Sequence, residues 1–419
     1  MVPKGWVATQ IGDIAKISSG GTPSKQNANF WGGDKPWISG KDLKTHFIET
    51  SIDTLTDEGF QIAKRAPAGA SLILVRGMTL LKDFPVGFAI REVAFNQDLK
   101  ALVPNKNIDG LFLSFLLVSE KHKIKQLVST AGHGTGRLDT ESIKLYPINV
   151  PPITEQRKIA QILSAWDKAI TVTEKLLTNS LQQKQALMQQ LLTGKKRLLD
   201  ENGVRFSGDW GKFTLSHFGK CIRGVSYKPE NICEIESDNT IRLLRSTNIQ
   251  NGELNDKDLI ILPKKLVKPM QVLMDGDLAI CMANGSKSLV GKSAPYKTND
   301  ADYTVGAFCA LFRPLKTVSS GFVKFLFESN QYQSQLLVIL AGSSINNLKG
   351  SDIESINIDA PLHYKEQQKI ADVLSAADAE ISVLEKKLAC LKEEKKALMQ
   401  QLLTGKRRVK VEMEETVSA

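Results

Sequence analysis

The stretch EQRKIAQILSAWDKAITVTEKLLTNSLQQKQALMQQLLTG, Glu155 to Gly194, returns without a gap as EQQKIADVLSAADAEISVLEKKLACLKEEKKALMQQLLTG, Glu366 to Gly405, and the copies agree at 24 of 40 positions. Such self-similarity marks a duplicated structural unit. Both copies read as long helices. The second carries a heptad seam through Ile370, Leu374, Ala377, Ile381, Leu384, Leu388, Leu391, Lys395, Leu398 and Leu402. Its steps alternate four and three, the spacing of a left-handed coiled coil. The first runs Ile159, Leu163, Trp166, Ile170, Thr173, Leu177, Ser180, Lys184, Leu187 and Leu191. Lys184 and Lys395 are equivalent, so the polar interruption falls at the same place in each copy, where it can fix register at some cost in stability. Prolines precede each helix (Pro151-Pro152 and Pro361), and Gly194 and Gly405 stop them. Each helix should be roughly 60 Å long at about 1.5 Å per residue. Three or more heptads on one seam, twice, favour an antiparallel pair about a local two-fold over two amphipathic helices packed on their own domains.

The segments ahead of the helices resemble each other only in outline. Each opens with a tryptophan and a polar run toward glycine (Trp6 to Gly12; Trp210 to Gly219) and continues into a small polar loop (Ser18 to Pro23; Arg223 to Tyr227). Short apolar runs bounded by Gly, Asp and Asn, such as Ser71 to Val75 and Leu278 to Met282, read as strands. Each segment ends in an apolar helix (Leu111 to Ser119; Gly321 to Phe327), a Gly/Ser-rich turn and a strand into the long helix. The expected organisation is a first head over 1–153, a helix and linker over 154–203, a second head over 204–364, a second helix over 365–410 and a tail over 411–419. The expected fold class is α+β, two mixed α/β heads each followed by a long helix. Near-copied helices between divergent heads suggest identical partners for the helices and different ones for the heads.

Composition is compatible with this. A chain of 419 residues, 42% of them hydrophobic, is globular and too long for one core. A net charge of +10 suits a partner bearing phosphates without requiring one. The five cysteines (Cys221, Cys233, Cys281, Cys309, Cys390) are odd in number and form no CxxC pair, which argues against a disulfide framework or zinc ribbon and for the reducing cytoplasm. Trp6 to Lys16 is too polar for a signal peptide, and the longest apolar run, Phe112 to Val118, is too short to span a bilayer.

Enzyme signatures fail. An adenine amino-methyltransferase needs Asp, Asn or Ser before Pro-Pro and an aromatic after it, to bond the target amine and stack on the flipped base. Pro151-Pro152 lies between Val150 and Ile153, so both groups are missing. Gly132, Gly134 and Gly136 lack dinucleotide-loop spacing and serve either as a backbone-amide nest near a phosphate or merely as a turn. Gly291-Lys292-Ser293 ends like a phosphate-binding loop, but Ser286 holds the place of its leading glycine. Glu385-Lys386-Lys387 sits on the coiled coil, as a solvated charged face.

The polar loops of the heads carry residue types that read DNA: Arg and Lys pair with guanine, Asn and Gln with adenine, and Ser or Thr with either or with phosphate. The first head offers Lys25, Lys41, Arg76, Lys82, Gln97, His133 and Arg137. The second offers Arg223, Tyr227, Lys228, Arg245, Asn248, Lys287, Asn346, Asn347 and Lys349.

The order head, helix, head, helix resembles the specificity subunits of type I restriction-modification systems. The likeness rests on Pro151-Pro152-Ile153-Thr154-Glu155-Gln156 running into Lys158-Ile159-Ala160, its recurrence at Glu366 to Ala371, Asp167 and Asp378, the paired Leu-Leu-Thr-Gly ends, and the Gly134-Thr135-Gly136-Arg137-Leu138 turn. Pro361-Leu362-His363 departs from the Pro-Pro-Ile form. The resemblance implies that each head is a target-recognition domain reading half of a split site in double-stranded DNA, with the helices as spacer. It implies two methyltransferase (modification) subunits as partners, meeting the helix starts and ends at Glu155, Gln156, Lys158, Glu366, Gln367, Lys369, Met188 and Met399, and restriction/translocase subunits joining them. S-adenosylmethionine, ATP and Mg would be used by those partners, with no cofactor or metal in this chain, no catalysis of its own and no membrane. The rival reading is a coiled-coil scaffold whose heads bind protein.

Overall fold

The computed structural model describes residues 2–131, 134–297, 301–342 and 346–410. The chain forms two compact units: residues 1–174 with 386–419, and residues 175–385. Both long helices form, at Ile153–Leu191 and Tyr364–Leu402, and each passes from one unit into the other.

In the first unit the head is built on two sheets. One has five strands in the order Ala15–Ser19, Leu99–Pro104, Ser71–Leu74, Val86–Ala89, Phe47–Ile48. The other has four, in the order Thr54–Leu55, Trp31–Ile38, Val93–Phe95, Arg65–Ala66, and its central pair is parallel. The helix Gly110–Lys125 packs Phe112, Phe115, Leu116 and Leu117 into the core. Val7–Gln10 pairs antiparallel with Pro147–Val150, closing the head beside the start of the long helix. Ile159, Ala160 and Leu163 from one long helix, Met399 and Leu402 from the other and Leu403 just past its end enter the same core.

The second unit repeats this frame. Gly219–Arg223, Cys309–Pro314, Leu278–Cys281 and Ser293–Pro295 form one sheet, and Thr240–Leu244 lies between Ile260–Pro263 and Tyr303–Val305 in another. The single apolar helix expected over Gly321 to Phe327 is Ser320–Glu328, and a further helix follows at Asn330–Ala341. Trp210–Thr214 pairs with Asn357–Pro361, and Ile370, Ala371, Leu374, Leu191 and Leu192 enter the core.

Within each unit the helices run antiparallel, because partner numbers fall on one as they rise on the other. The first unit pairs Asp167 with Lys395 (2.5 Å) and Glu174 with Lys392 (2.8 Å). The second pairs Ser180 with Glu380 (3.1 Å) and Lys184 with Asp378 (2.6 Å). The residues of the expected seam are buried or half-buried throughout. Its polar members have partners there: Lys184 and Lys395 meet equivalent aspartates, and the Thr173 hydroxyl donates to the Ala169 carbonyl (2.8 Å). Burial pushes the Asp378 carboxyl up, but Lys184 and Lys324 beside it outweigh that and hold it below the ordinary aspartate range. Asp167 follows the same balance: burial raises it, while His46 and Lys395 lower it further. The glycines that stop the helices, Gly194 and Gly405, both have φ +69°.

Candidate nucleic-acid interface

The sheets of each head bring loops distant in sequence to one edge. In the first head the Gly21 N–H donates to the Phe95 carbonyl (2.8 Å), Asn96 N–H to Ile38 (2.9 Å), Val75 N–H to Asp98 (2.9 Å) and Leu138 N–H to Val75 (2.9 Å). These bonds join the loops around residues 20, 40, 76, 97 and 137. A Cβ on Gly20 would lie 2.1 Å from the Asn96 carbonyl oxygen, so only glycine permits this approach. Gly224 meets the Gly306 carbonyl in the same way, at 2.2 Å.

Lys25, Lys41, Arg76, Lys82, Gln97 and Arg137 are all exposed on these loops. The Lys25 ammonium lies 6.0 Å from the ring centroids of both Trp31 and Trp37. Gln97 accepts from the Thr22 hydroxyl (2.6 Å). Arg76 and Arg137 stand directly opposite each other in an antiparallel pair. Like charges so placed repel, and an anion between them would relieve that repulsion. His133 lies outside the described residues.

In the second head the Val225 N–H donates to Val305 (2.7 Å), Gly306 N–H to Leu244 (2.9 Å), Met282 N–H to Phe308 (2.9 Å) and Asn284 N–H to Asn346 (3.3 Å). Arg223, Lys228, Lys287, Asn347 and Lys349 are exposed on this edge, and Tyr227, Arg245 and Asn346 are half-buried. Arg245 donates through Nη2 to the Asp258 carbonyl (2.8 Å), while its Nε is buried without a partner. Asn248 differs from the expectation of a surface reader. It is 1% exposed; its Oδ1 accepts from Arg245 N–H (2.8 Å), and its Nδ2 donates to the Asn255 and Lys257 carbonyls (3.0 and 2.7 Å). Asp42 holds the equivalent turn of the first head through the Ser39 N–H (2.8 Å). Both residues therefore shape a turn.

The helix starts also depart from expectation. Glu155, Gln156, Glu366 and Gln367 are buried, and the two glutamines clasp each helix to its own head. Gln156 Oε1 accepts from Asp109 N–H (2.9 Å), and Nε2 donates to the Pro151 and Asn107 carbonyls (2.9 and 3.2 Å). Gln367 accepts from Ser319 N–H (3.1 Å) and donates to the Pro361 carbonyl (2.8 Å). Asp109 and Ser319 are the N-cap residues of the helices Gly110–Lys125 and Ser320–Glu328. The second helix starts normally despite the change to Leu362-His363, because the His363 carbonyl takes the Gln367 N–H (3.1 Å) as the Pro152 carbonyl takes that of Gln156 (3.0 Å). Arg408 forks onto Glu155 with two bonds of 2.7 Å, and Arg197 onto Glu366 at 2.5 and 2.7 Å. These arginines stack near Trp6 and Trp210. Sequence reasoning missed them, although the repeat continues past its glycines as Lys195-Lys196-Arg197 and Lys406-Arg407-Arg408. Met399 is 9% exposed in the first core, Met188 is half-buried, and Lys158 and Lys369 face solvent.

Among the described residues, no group of three or more His, Cys, Asp or Glu is placed to hold a metal ion. No helix among them is long and apolar enough to cross a membrane.

The EcoKI specificity subunit of Escherichia coli (strain K12) is 36% identical over 196 residues, 47% of this chain. The match spans only 42% of that protein's length, as it does for the 34% identical StySPI specificity subunit of Salmonella potsdam. The MjaVIII specificity subunit of Methanocaldococcus jannaschii is 25% identical over 98% of this chain and 94% of its own. Among solved structures, the S subunit of a type I restriction-modification system from M. genitalium superposes with a TM-score of 0.64, covering 96% of this chain and 99% of that one. At 14% identity that likeness is one of fold. A family model described as the type I restriction modification DNA specificity domain matches residues 3–183 and again 207–393, and the chain belongs to that family.

Proposed function

We propose that this chain is the DNA-recognition subunit of a type I restriction-modification complex, non-catalytic itself, reading a bipartite site with one head on each half. The observation that carries this reading is the pair of loop edges: two heads with one backbone frame present different polar and basic residues at equivalent places. Equal frames with unequal edges suit two different half-sites, whereas a scaffold binding one protein twice would need equal edges. The exposed candidates named above are the proposed readers and phosphate contacts, with Asn248 in a supporting role. Modification subunits, using S-adenosylmethionine, would meet the helices through exposed positions such as Lys158 and Lys369. Restriction subunits, using ATP and Mg, would complete a cytoplasmic assembly; no cofactor is assigned to this chain.

The test is methylome sequencing of cells carrying this chain with its modification subunit, unchanged and with Arg245→Ala. Base specificity should relax in one half-site only, by roughly 1–3 kcal/mol at a true base contact. Equal loss at both halves, or no methylated bipartite site at all, would overturn the reading.

A further inference from the structure

Phe308 is 71% exposed, unusual for a large aromatic on rigid backbone. Its carbonyl accepts from both Met282 N–H (2.9 Å) and Ala283 N–H (3.1 Å), and the next residue, Cys309, closes a tight turn onto the Gly306 carbonyl (2.7 Å). Cys309 in turn stands opposite Cys281 in the sheet. The backbone is thus fixed while the ring projects outward.

Its surroundings are the polar edge of the second head. Ala283 bridges to Asn347, and the Asn284 side chain donates to the Ser246 hydroxyl (3.4 Å). Phe308 therefore lies between the turn carrying Arg245 and the segment carrying Asn346 and Asn347, on an edge that also bears Arg223, Lys287 and Lys349. The first head supplies an internal comparison. There the carbonyl that accepts from the equivalent N–H, that of Val75, belongs to Asp98. Its carboxylate accepts from Asn96 (3.3 Å), whose side chain accepts from the Asp98 N–H (3.2 Å). One frame carries an acid at this place in one head and a bare phenyl ring in the other, so the frame does not require the phenyl.

Resting on the DNA-reading role proposed above, we propose that Phe308 is a specificity-determining residue of the second head, packing its ring against the C5-methyl group of a thymine. Among base edges in the major groove, that methyl is the apolar feature, and aromatic side chains read it by contact. The flanking cations hold the phosphates that bring such a base to the ring.

The test uses the assembled complex with its modification subunits and duplexes carrying the mapped recognition site. Each thymine of the second half-site is replaced in turn by deoxyuridine, which lacks only the methyl. The unchanged complex should lose roughly fourfold in affinity at one thymine, the worth of one methyl-sized group removed from water. The Phe308→Ala complex should bind thymine and uracil equally there, with the first half-site read as before. Phe308→Leu, which keeps an apolar surface, should retain part of the discrimination. The proposal is overturned if Phe308→Ala leaves the pattern of uracil sensitivity unchanged, or if no thymine of that half-site is sensitive in the unchanged complex. A complex that binds no sequence preferentially instead refutes the DNA-reading role, and this proposal with it.

Discussion

Replacing Gln156 with Met removes the clasp between the first long helix and its own head while nearly preserving side-chain length. Three partners lose a hydrogen bond: Asp109 N–H and the carbonyls of Pro151 and Asn107. Asn107 is exposed, so water replaces its lost donor. The Pro151 carbonyl is buried and the Asp109 N–H is half-buried. At about 1–3 kcal/mol for each buried group left unpaired, the change costs about 3 kcal/mol. It acts locally, so it lowers the free energy of opening the region instead of shifting the whole molecule. Amide hydrogen exchange read by mass spectrometry reports this directly. Peptides covering Asp109–Leu117 and Ile153–Leu163 should exchange about a hundredfold faster, since 1.4 kcal/mol corresponds to tenfold. Peptides covering Ser319–Phe327 and Glu366–Leu374 should be unchanged, because Gln367 holds that head by its own bonds. Gln367→Met should give the mirror result. Protection altered by less than about threefold, or equally in both heads, would refute the clasp.

Two further predictions concern the helices. Asp378→Asn removes the carboxylate shared by Lys184 and Lys324. Because the folded-state pKa of Asp378 is depressed, its stabilisation is present above the ordinary aspartate pKa of about 3.9 and fades as pH falls through the lower folded value. Denaturation midpoints of the variant and the unchanged chain should therefore differ at pH 7 and draw together only as the pH falls from about 4 through the lower folded value; a constant gap would contradict the ion-pair role. If the helices set the distance between half-sites, inserting four residues after Lys175 and four after Lys386 adds roughly 6 Å against about 3.4 Å per base pair. The methylated spacer should lengthen by about one or two base pairs, and an active variant with the original spacer would remove the helices from that role.

The sequence alone determined the duplication, the two helices, their seam and the two-headed plan, because a coiled-coil repeat is a local, periodic signal carried by near neighbours on one helix face. It also determined which loops are polar. Only the tertiary structure decided what those residues do, because burial depends on partners far away in the chain. Glu155 and Gln156 read as exposed polar residues at a helix start, yet they are buried because Arg408, 253 residues away, and Asp109 come to them. Asn248 reads as a base-contacting amide, but the carbonyls of Asn255 and Lys257 fold back over it. Lys184 and Lys395 look like flaws in a hydrophobic seam until the antiparallel pairing brings Asp378 and Asp167 against them. Phe308 went unnoticed for the opposite reason. An aromatic beside a buried strand reads as core, and only the turn at Gly306 to Cys309 aims it outward.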